Sequence, residues 1–377
     1  MNRKTVMKRL NKYVFPAAFL TTVAMLAGCG EEKPRLLDGS NSMTICAVDT
    51  ANVLGGGAGA PVAGVTIRIN AEGFFFQRTL VTGDDGWAEI NNIPAGKYIL
   101  TAERVLSDLL IFGQKEKSLL AKPALMDTIR MGFVPTTPLV MNEIYYAGCK
   151  ASAFYYYDQF IELYNSSDET IYLDGYIVGR GTHYEDLLDW ESVDYAIAYY
   201  IYKFPGQSGV TRNYPIEPGE FLVLACDAYD HSLIDEACVD MTGADFEFCN
   251  PLAFDYCNSE KVHLEPVTTE GNDFTMNLGH ESVFIATGEE YSFVEHVNES
   301  GPQVYGHVPL ETILDGVEYA SNPEAPRYMT RRLDATLAPG APKYGARSIE
   351  RRFPGLDSNN SAFDFIVTDA PTPGYHH

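Results

Sequence analysis

Apolar and polar residues alternate over short runs along most of this chain. Met43–Val48, Val65–Ile69 and Tyr98–Thr101 each carry the period of two that a half-buried strand requires. Gly55-Gly56-Gly57, Gly59-Ala60-Pro61, Gly83-Asp84-Asp85-Gly86 and Pro94-Ala95-Gly96 supply turn chemistry between them. The densest signal runs from Leu139 to Val178. It holds candidate strands Val140–Tyr146 and Gln159–Asn165, a polar turn Ser166–Thr170, a third strand Ile171–Leu173, and then Asp174-Gly175. Short strands punctuated this often predict β-sandwiches. One stretch departs from the period. Trp190, Val193, Ile197, Tyr200, Ile201 and Phe204 recur at spacings of three and four, which predicts a helix within Tyr184–Phe204.

The beginning of the chain reads as an export signal rather than structure. Arg3, Lys4, Lys8, Arg9 and Lys12 precede an apolar run, Val14–Ala27, too short to remain as a membrane span. The run ends in Leu26-Ala27-Gly28-Cys29, which resembles a bacterial lipobox. That resemblance implies cleavage after residue 28 and acylation of Cys29, with several acyl chains giving a firm anchor. Glu31-Glu32 resembles the acidic export tag of surface lipoproteins of the Bacteroidetes type. The expected location is therefore the outer membrane, lipid-anchored and facing the exterior.

The net charge of −24 changes the picture of partners. So acidic a chain repels nucleic acid and anionic lipid, so its contact with a membrane is expected through the lipid anchor alone. Cysteine usage agrees with export. With Cys29 acylated, Cys46, Cys149, Cys226, Cys238, Cys249 and Cys257 are left as disulfide candidates, since an even number in an exported chain reads as bridges. Four of them crowd into Cys226–Cys257, where local pairing is expected. Their gaps do not match zinc-ligand spacing, even with His231 and His263 nearby, and no metal is expected.

Two family resemblances organise the rest. Pro61-Val62-Ala63-Gly64-Val65, Thr82-Gly83-Asp84-Asp85-Gly86 and Ile93-Pro94-Ala95-Gly96-Lys97-Tyr98 resemble the carboxypeptidase regulatory-like domain over 42–134. It implies a prealbumin-like or Ig-like sandwich acting as a spacer or docking module. After a linker at 135–138, Val140-Met141-Asn142-Glu143-Ile144, Gln159-Phe160-Ile161-Glu162-Leu163-Tyr164-Asn165 and Leu173-Asp174-Gly175-Tyr176-Ile177-Val178 resemble the lamin-tail domain, which would fill 139–377. The expected fold is thus all-β, with two Ig-like β-sandwiches in tandem behind a signal at 1–28 and a tether at 29–41. The second sandwich would carry a helical, aromatic insertion at 179–215 and a Cys-rich insertion at 226–274. The whole resembles an uncharacterised family of surface lipoproteins.

No catalytic constellation stands out. Glu143 and Glu162 would be neighbours if their strands pair, as paired carboxylates are in glycosidases, but both sit on motif positions of a fold that is usually not catalytic. The acidic turns Asp84-Asp85-Gly86 and Asp357-Ser358-Asn359-Asn360 lack the spacing of a calcium loop. No cofactor is expected. Aromatic residues give the functional hint. Tyr155, Tyr156 and Tyr157 lie in one loop, and Trp190, Tyr199 and Tyr200 in the first insertion. Consecutive aromatics in an extended chain cannot all face one core, so some are expected at a binding surface for protein or glycan. The expected function is non-enzymatic recognition. The alternatives are cargo capture (glycan, peptide, iron or haem) beside a TonB-dependent transporter, and an exported hydrolase.

Overall fold

The computed structural model of the chain describes residues 39, 41–72, 74, 76–106, 109–119, 124–133, 137–149, 156–182, 190–253, 257–267, 273–298 and 301–377. The expected signal, Cys29, most of the tether, Pro135 and Thr136 of the linker, and Tyr155 lie outside the described residues. So does the side chain of Trp190.

The first eight strands are β1 (Asn41–Asp49), β2 (Ala60–Pro61), β3 (Thr66–Glu72), β4 (Gln77–Val81), β5 (Trp87–Ile93), β6 (Gly96–Leu106), β7 (Leu109–Leu119) and β8 (Leu125–Phe133). β1 pairs with β2 and β5 along one edge and runs parallel to β8 along the other. β8 also pairs with β7, which continues through β6 and β3 to β4. The sheet therefore folds over on itself. Met43, Ile45 and Ala47 on β1 meet Ile67 and Ile69 on β3 and Leu100 and Ala102 on β6. These are alternate positions on each strand, which is why the period of two in the sequence was a sound guide here.

The later strands are β9 (Leu139–Tyr145), β10 (Phe160–Asn165), β11 (Ile171–Tyr172), β12 (Ile177–Thr182), β13 (Tyr195–Lys203), β14 (Pro215–Ile216), β15 (Phe221–Ala225), β16 (Phe246–Phe248) and β17 (Val262–Pro266). They continue with β18 (His280–Ala286), β19 (Ser292–Asn298), β20 (Gly301–Pro309), β21 (Ile313–Ala320), β22 (Ala338–Pro339), β23 (Ile349–Arg351) and β24 (Phe365–Val367). One wall of this sandwich runs β24-β23-β9-β10-β15-β16. The other runs β22-β21-β18-β12-β13, with β20 and β19 beyond β13. β17 pairs with β16 of the first wall and β13 of the second, so the two walls join along one side. Between them lies the main core, which includes Ile161, Leu163, Tyr202, Phe248, Phe274 and Val317. Tyr146 stacks on Tyr319 across it, with ring centroids 3.5 Å apart.

Arg351 closes the other side. Its guanidinium is almost wholly buried. Nη2 reaches Asp315 on β21 at 2.7 Å, and Nε donates to the Met141 carbonyl on β9 at 2.9 Å. Asp315 also accepts the Met141 N–H at 2.7 Å. Asp364 and Asp357 approach Nη1 at 3.5 and 3.7 Å, and the Phe365 ring lies under the guanidinium. Burial pushes the Asp364 carboxyl up to about 7 even beside Arg351. One cation thus ties β9, β21 and β23 into a single edge. The first sheet joins here too. Arg352 pairs with Glu103 on β6, and Phe112 on β7 packs against Leu356 and Phe363.

The helix expected within Tyr184–Phe204 is corrected to a strand. Residues 183–189 lie outside the described residues, Trp190–Ser192 form one turn of 3-10 helix, and Tyr195–Lys203 is β13. The sequence YAIAYYIYK is rich in β-branched and aromatic residues, which favour a pleated strand. β13 has buried residues on both faces, Tyr200 and Tyr202 on one and Ala198 and Ile201 on the other, so apolar residues occupy both sets of alternate positions and produce a false helical spacing. An extra residue against the Arg180/Gly181 step shifts the register further. Segments 179–215 and 226–274 each supply strands to this sheet, β12 with β13 and β16 with β17.

Two of the six disulfide candidates are also corrected. Cys149 bonds Cys238, and Cys249 bonds Cys257. Cys46 and Cys226 are buried thiols. Cys46 lies on β1 of the first sheet, whereas Cys226 directly follows β15 of the larger sandwich. Cys226 points at the Phe274 carbonyl, 2.9 Å from Sγ. Parity of count was therefore misleading, because buried thiols serve as small apolar side chains.

Two measurements test these assignments. Arg351→Ala leaves three buried carboxylates without their cation, and it is expected to lower the unfolding free energy by about 3–5 kcal/mol in urea titration. Peptide mapping without reduction should recover the Cys149–Cys238 and Cys249–Cys257 pairs, with Cys46 and Cys226 alkylated only after unfolding. Replacing Cys149 and Cys238 together by Ser is expected to cost about 2–4 kcal/mol, since their link closes a long loop.

Candidate functional site

The aromatic candidates separate once the strands are placed. Tyr200 is buried beneath the Arg180 guanidinium, whose carbon lies 5.1 Å from the ring centroid. Arg180 is itself held by Glu281, with Nε 3.0 Å from Oε2. Tyr156 is exposed and Tyr157 half-buried in the turn before β10. Tyr199 is half-buried on β13 and joins a different group. Its ring meets Tyr305 on β20 at 5.9 Å and its hydroxyl lies 3.4 Å from Gln303 Oε1. Four residues along β13, Tyr195 stacks on His307 at 4.0 Å, with Ile197 between. His296 on β19 reaches Tyr305 edge-on.

Strand geometry explains why these side chains share a face. Antiparallel partners on β19 and β20 are Ser292↔His307, Val294↔Tyr305 and His296↔Gln303. Directly opposed side chains point the same way, so Val294, His296, Gln303, Tyr305 and His307 line one surface. β20 pairs with β13 through Tyr195↔Pro309 to Ala198↔Gly306, which brings Tyr195 and Ile197 alongside. Burial holds the His307 imidazole below its usual pKa, and His296 adds to that. Beside this face opens a cleft of about 770 Å³ whose lining includes Tyr195, His307, Tyr291, Asp194, Glu289 and Glu290.

The hairpin is exposed on its far edge. β19 pairs with β20 and with no other strand among the described residues. Phe293 is 42% exposed and Val297 67%, with Val294 and Val304 also open to solvent. Sequence reasoning missed this hairpin. The alternation of Ser292–Asn298 and Gly301–Pro309 around a short polar turn was the available signal. It was masked because apolar side chains occupy both faces.

The remaining candidates are structural. Glu143 and Glu162 are direct cross-strand partners, as their pairing required, but both are fully buried with their oxygens taken by neighbours. Ser348 and Thr372 donate to Glu143, and Asn142 and Gly374 to Glu162. The acidic turns are held by their own hydrogen bonds. Asp85 accepts the Trp87 N–H at 3.1 Å, and Asp357 accepts the Asn359 N–H at 3.1 Å. His263 faces Glu247 at 3.3 Å. His231 is buried between Asp158 at 3.3 Å and Asp227 at 3.1 Å. Burial alone would lower its pKa, but the two carboxylates outweigh that and raise it to about 9.

Comparison with known proteins adds one fold relationship. Residues 217–372, from the turn before β15 to beyond β24, match the model of a family described as a protein of unknown function, DUF4876. The crystal structure of a DUF4876 family protein from Bacteroides thetaiotaomicron is similar over 86% of this chain and 94% of that chain. Identity is 21% and the TM-score is 0.53. The shared feature is the fold. A DUF3823 family protein from Parabacteroides merdae aligns over 72% of this chain and 99% of that chain at 10% identity, with a TM-score of 0.18, too distant to support an argument. No curated protein matches.

The buried histidine gives a pH test. A group whose pKa rises on folding contributes stability that is full below its unfolded value of 6.5 and lost as pH rises through about 9. Unfolding free energy is expected to fall across that window by about 1–3 kcal/mol. In Asp158→Asn, urea titrations at pH 6 and pH 9.5 should differ by less than in the parent chain.

Proposed function

We propose that this is a non-enzymatic binding protein, lipid-anchored through Cys29 at the outer cell surface, and that its β19–β20 hairpin receives an extended segment of a protein partner. The observation that carries this reading is the far edge of β19, which pairs with no strand among the described residues. A strand with one unpaired edge offers a row of N–H and C=O groups to another chain, and soluble proteins normally protect such an edge with charge, proline or a bulge. Here Phe293, Val294 and Val297 stand exposed, with Glu295 as the carboxylate among them. Strand addition would satisfy the backbone groups, and pockets beside alternate side chains would supply selectivity. The ring face of Tyr305 and His307 on β20 and of Tyr195 and Tyr199 on β13 lies further in, one and two strands beyond β19. Val294 and His296 would contact that segment's side chains on one surface, and Phe293 and Val297 on the other.

A second reading rests on the same rings. Half-exposed Tyr and His side chains set side by side offer stacking area for a sugar face, with hydroxyl and imidazole groups to orient it. On this reading the hairpin edge is incidental. The lipobox-like Leu26-Ala27-Gly28-Cys29 and the acidic composition support an exported, anchored location for both readings.

An array of cell-envelope proteins and glycans, probed with the chain from Cys29 onward, separates the two readings. Strand addition predicts binding at protein spots that falls at least tenfold in Val297→Lys with Phe293→Ser. Thermal unfolding should be little changed, because both side chains are exposed. Binding confined to glycan spots, lost in Tyr195→Ala and indifferent to the edge changes, would support the second reading. Turnover of an arrayed substrate would sink both.

A further inference from the structure

Three glutamates stand in a row across the outer face of the first wall. Glu162 on β10 lies opposite Glu143 on β9, and Glu143 lies opposite Glu350 on β23. Each is at most 1% exposed. A bulge in β9 makes the row possible. Asn142 is the extra residue, so Met141 and Ile144 face the core while Asn142 and Glu143 both face outward. Like charges directly opposite each other on a sheet repel, so the row is stable only if its charge is removed or paired.

The row is covered by residues 371–377. The Thr372 N–H donates to both oxygens of Glu143, at 3.1 and 3.2 Å. The Gly374 N–H donates to Glu162 at 2.6 Å. The His377 N–H and ring Nδ1 lie 3.2 and 3.0 Å from the Glu350 carboxylate, and His376 Nδ1 lies 3.1 Å from it. This segment carries no regular secondary structure, and its backbone is held by the side chains beneath it. We propose that residues 371–377 form a strap that closes over the glutamate row and opens when the row loses its protons.

The groups around the row divide its charge unequally. Burial pushes Glu162 up to about 8, against the hydrogen bonds from Asn142 and Gly374. Burial likewise pushes Glu143 up to about 7, against Ser348 and Thr372. Burial would also raise Glu350, but the hydrogen bonds from His376 and His377 and the charge of His376 outweigh it and hold this carboxyl below its ordinary range. Ser348 is bonded in turn to Thr368 at 2.6 Å. Where the chain enters the strap, Arg347 and Asp369 pair at 2.9 Å on the surface. Below about pH 7 and above the ordinary carboxyl range, the row therefore closes with Glu143 and Glu162 mostly neutral and Glu350 charged.

Opening returns Glu143 and Glu162 to water and to the ordinary carboxyl value of 4.5. Between 4.5 and about 7 or 8 the closed form keeps protons that the open form has lost. Rising pH therefore favours opening, by about tenfold per pH unit for each carboxyl, and the effect levels off above about 8. Opening would bare the outer face of β10, β9 and β23.

Amide hydrogen exchange across residues 371–377 of the full chain tests this, at pH 5 to 9, with each rate divided by its intrinsic rate. Protection of the Thr372 and Gly374 amides is expected to fall at least tenfold between pH 5 and 8, while the Ile161 and Leu163 amides of β10 stay protected. In Glu143→Gln with Glu162→Gln the fall at the strap amides should be several-fold smaller than in the parent chain. Protection independent of pH in the parent chain would overturn the proposal, and that series needs no variant to fold. An equal fall in the double variant would also overturn it.

Discussion

One buried arginine sets the geometry of the larger sandwich. Its two walls are already joined through β17 on one side. On the other side no continuous ladder among the described residues runs from β21 to β9, and Arg351 spans that seam. A guanidinium suits the position because it presents several donors in a fixed plane and keeps its charge when buried. It reaches Asp315 on the opposite wall and the Met141 carbonyl on its own. The neighbouring residues Arg352, Leu356 and Phe363 carry the contact with the first sheet. The seam and the inter-sheet contact thus occupy one short stretch of chain, and a disturbance at Arg351 would reach both.

The outer faces of the sandwich are used in opposite ways. On the first wall, polar side chains are buried beneath residues 371–377, and the cost of burying them is met by hydrogen bonds to strap backbone. On the second wall, aromatic and apolar side chains of β13, β19 and β20 remain open to solvent. An exposed apolar edge invites association, whereas a buried polar row resists disturbance until its protonation changes. The hairpin is therefore where we propose recognition. The glutamate row is a device of the fold.

Glu143 and Glu162 show how far a sequence argument reaches. Their strand positions and mutual pairing were legible, because two short alternating runs joined by a loop tend to pair. Their burial was not legible, because the cover comes from Thr372 and Gly374, more than two hundred residues later. The disulfides behave similarly. Cys249–Cys257 is a local pair of the kind that crowding suggested. Cys149–Cys238 joins the loop after β9 to the segment between β15 and β16, and only the folded arrangement brings these together. β13 failed for the opposite reason. Its local pattern was strong but ambiguous, since a strand with buried residues on both faces and a helix both yield apolar residues at mixed spacing.

The sequence by itself determined the all-β class, the positions of β9 and β10, and the acidic, cysteine-bearing character of the chain. These follow from local chemistry, in which alternation, turn residues and composition act over a few positions. Only the tertiary structure decided which faces are covered. It turned Tyr195–Lys203 into the strand beside an exposed hairpin, left Cys46 and Cys226 unbridged, and placed Arg351 at the seam. Those outcomes depend on contacts between residues far apart in the chain. Burial, unlike periodicity, belongs to the assembled sheets rather than to any one strand.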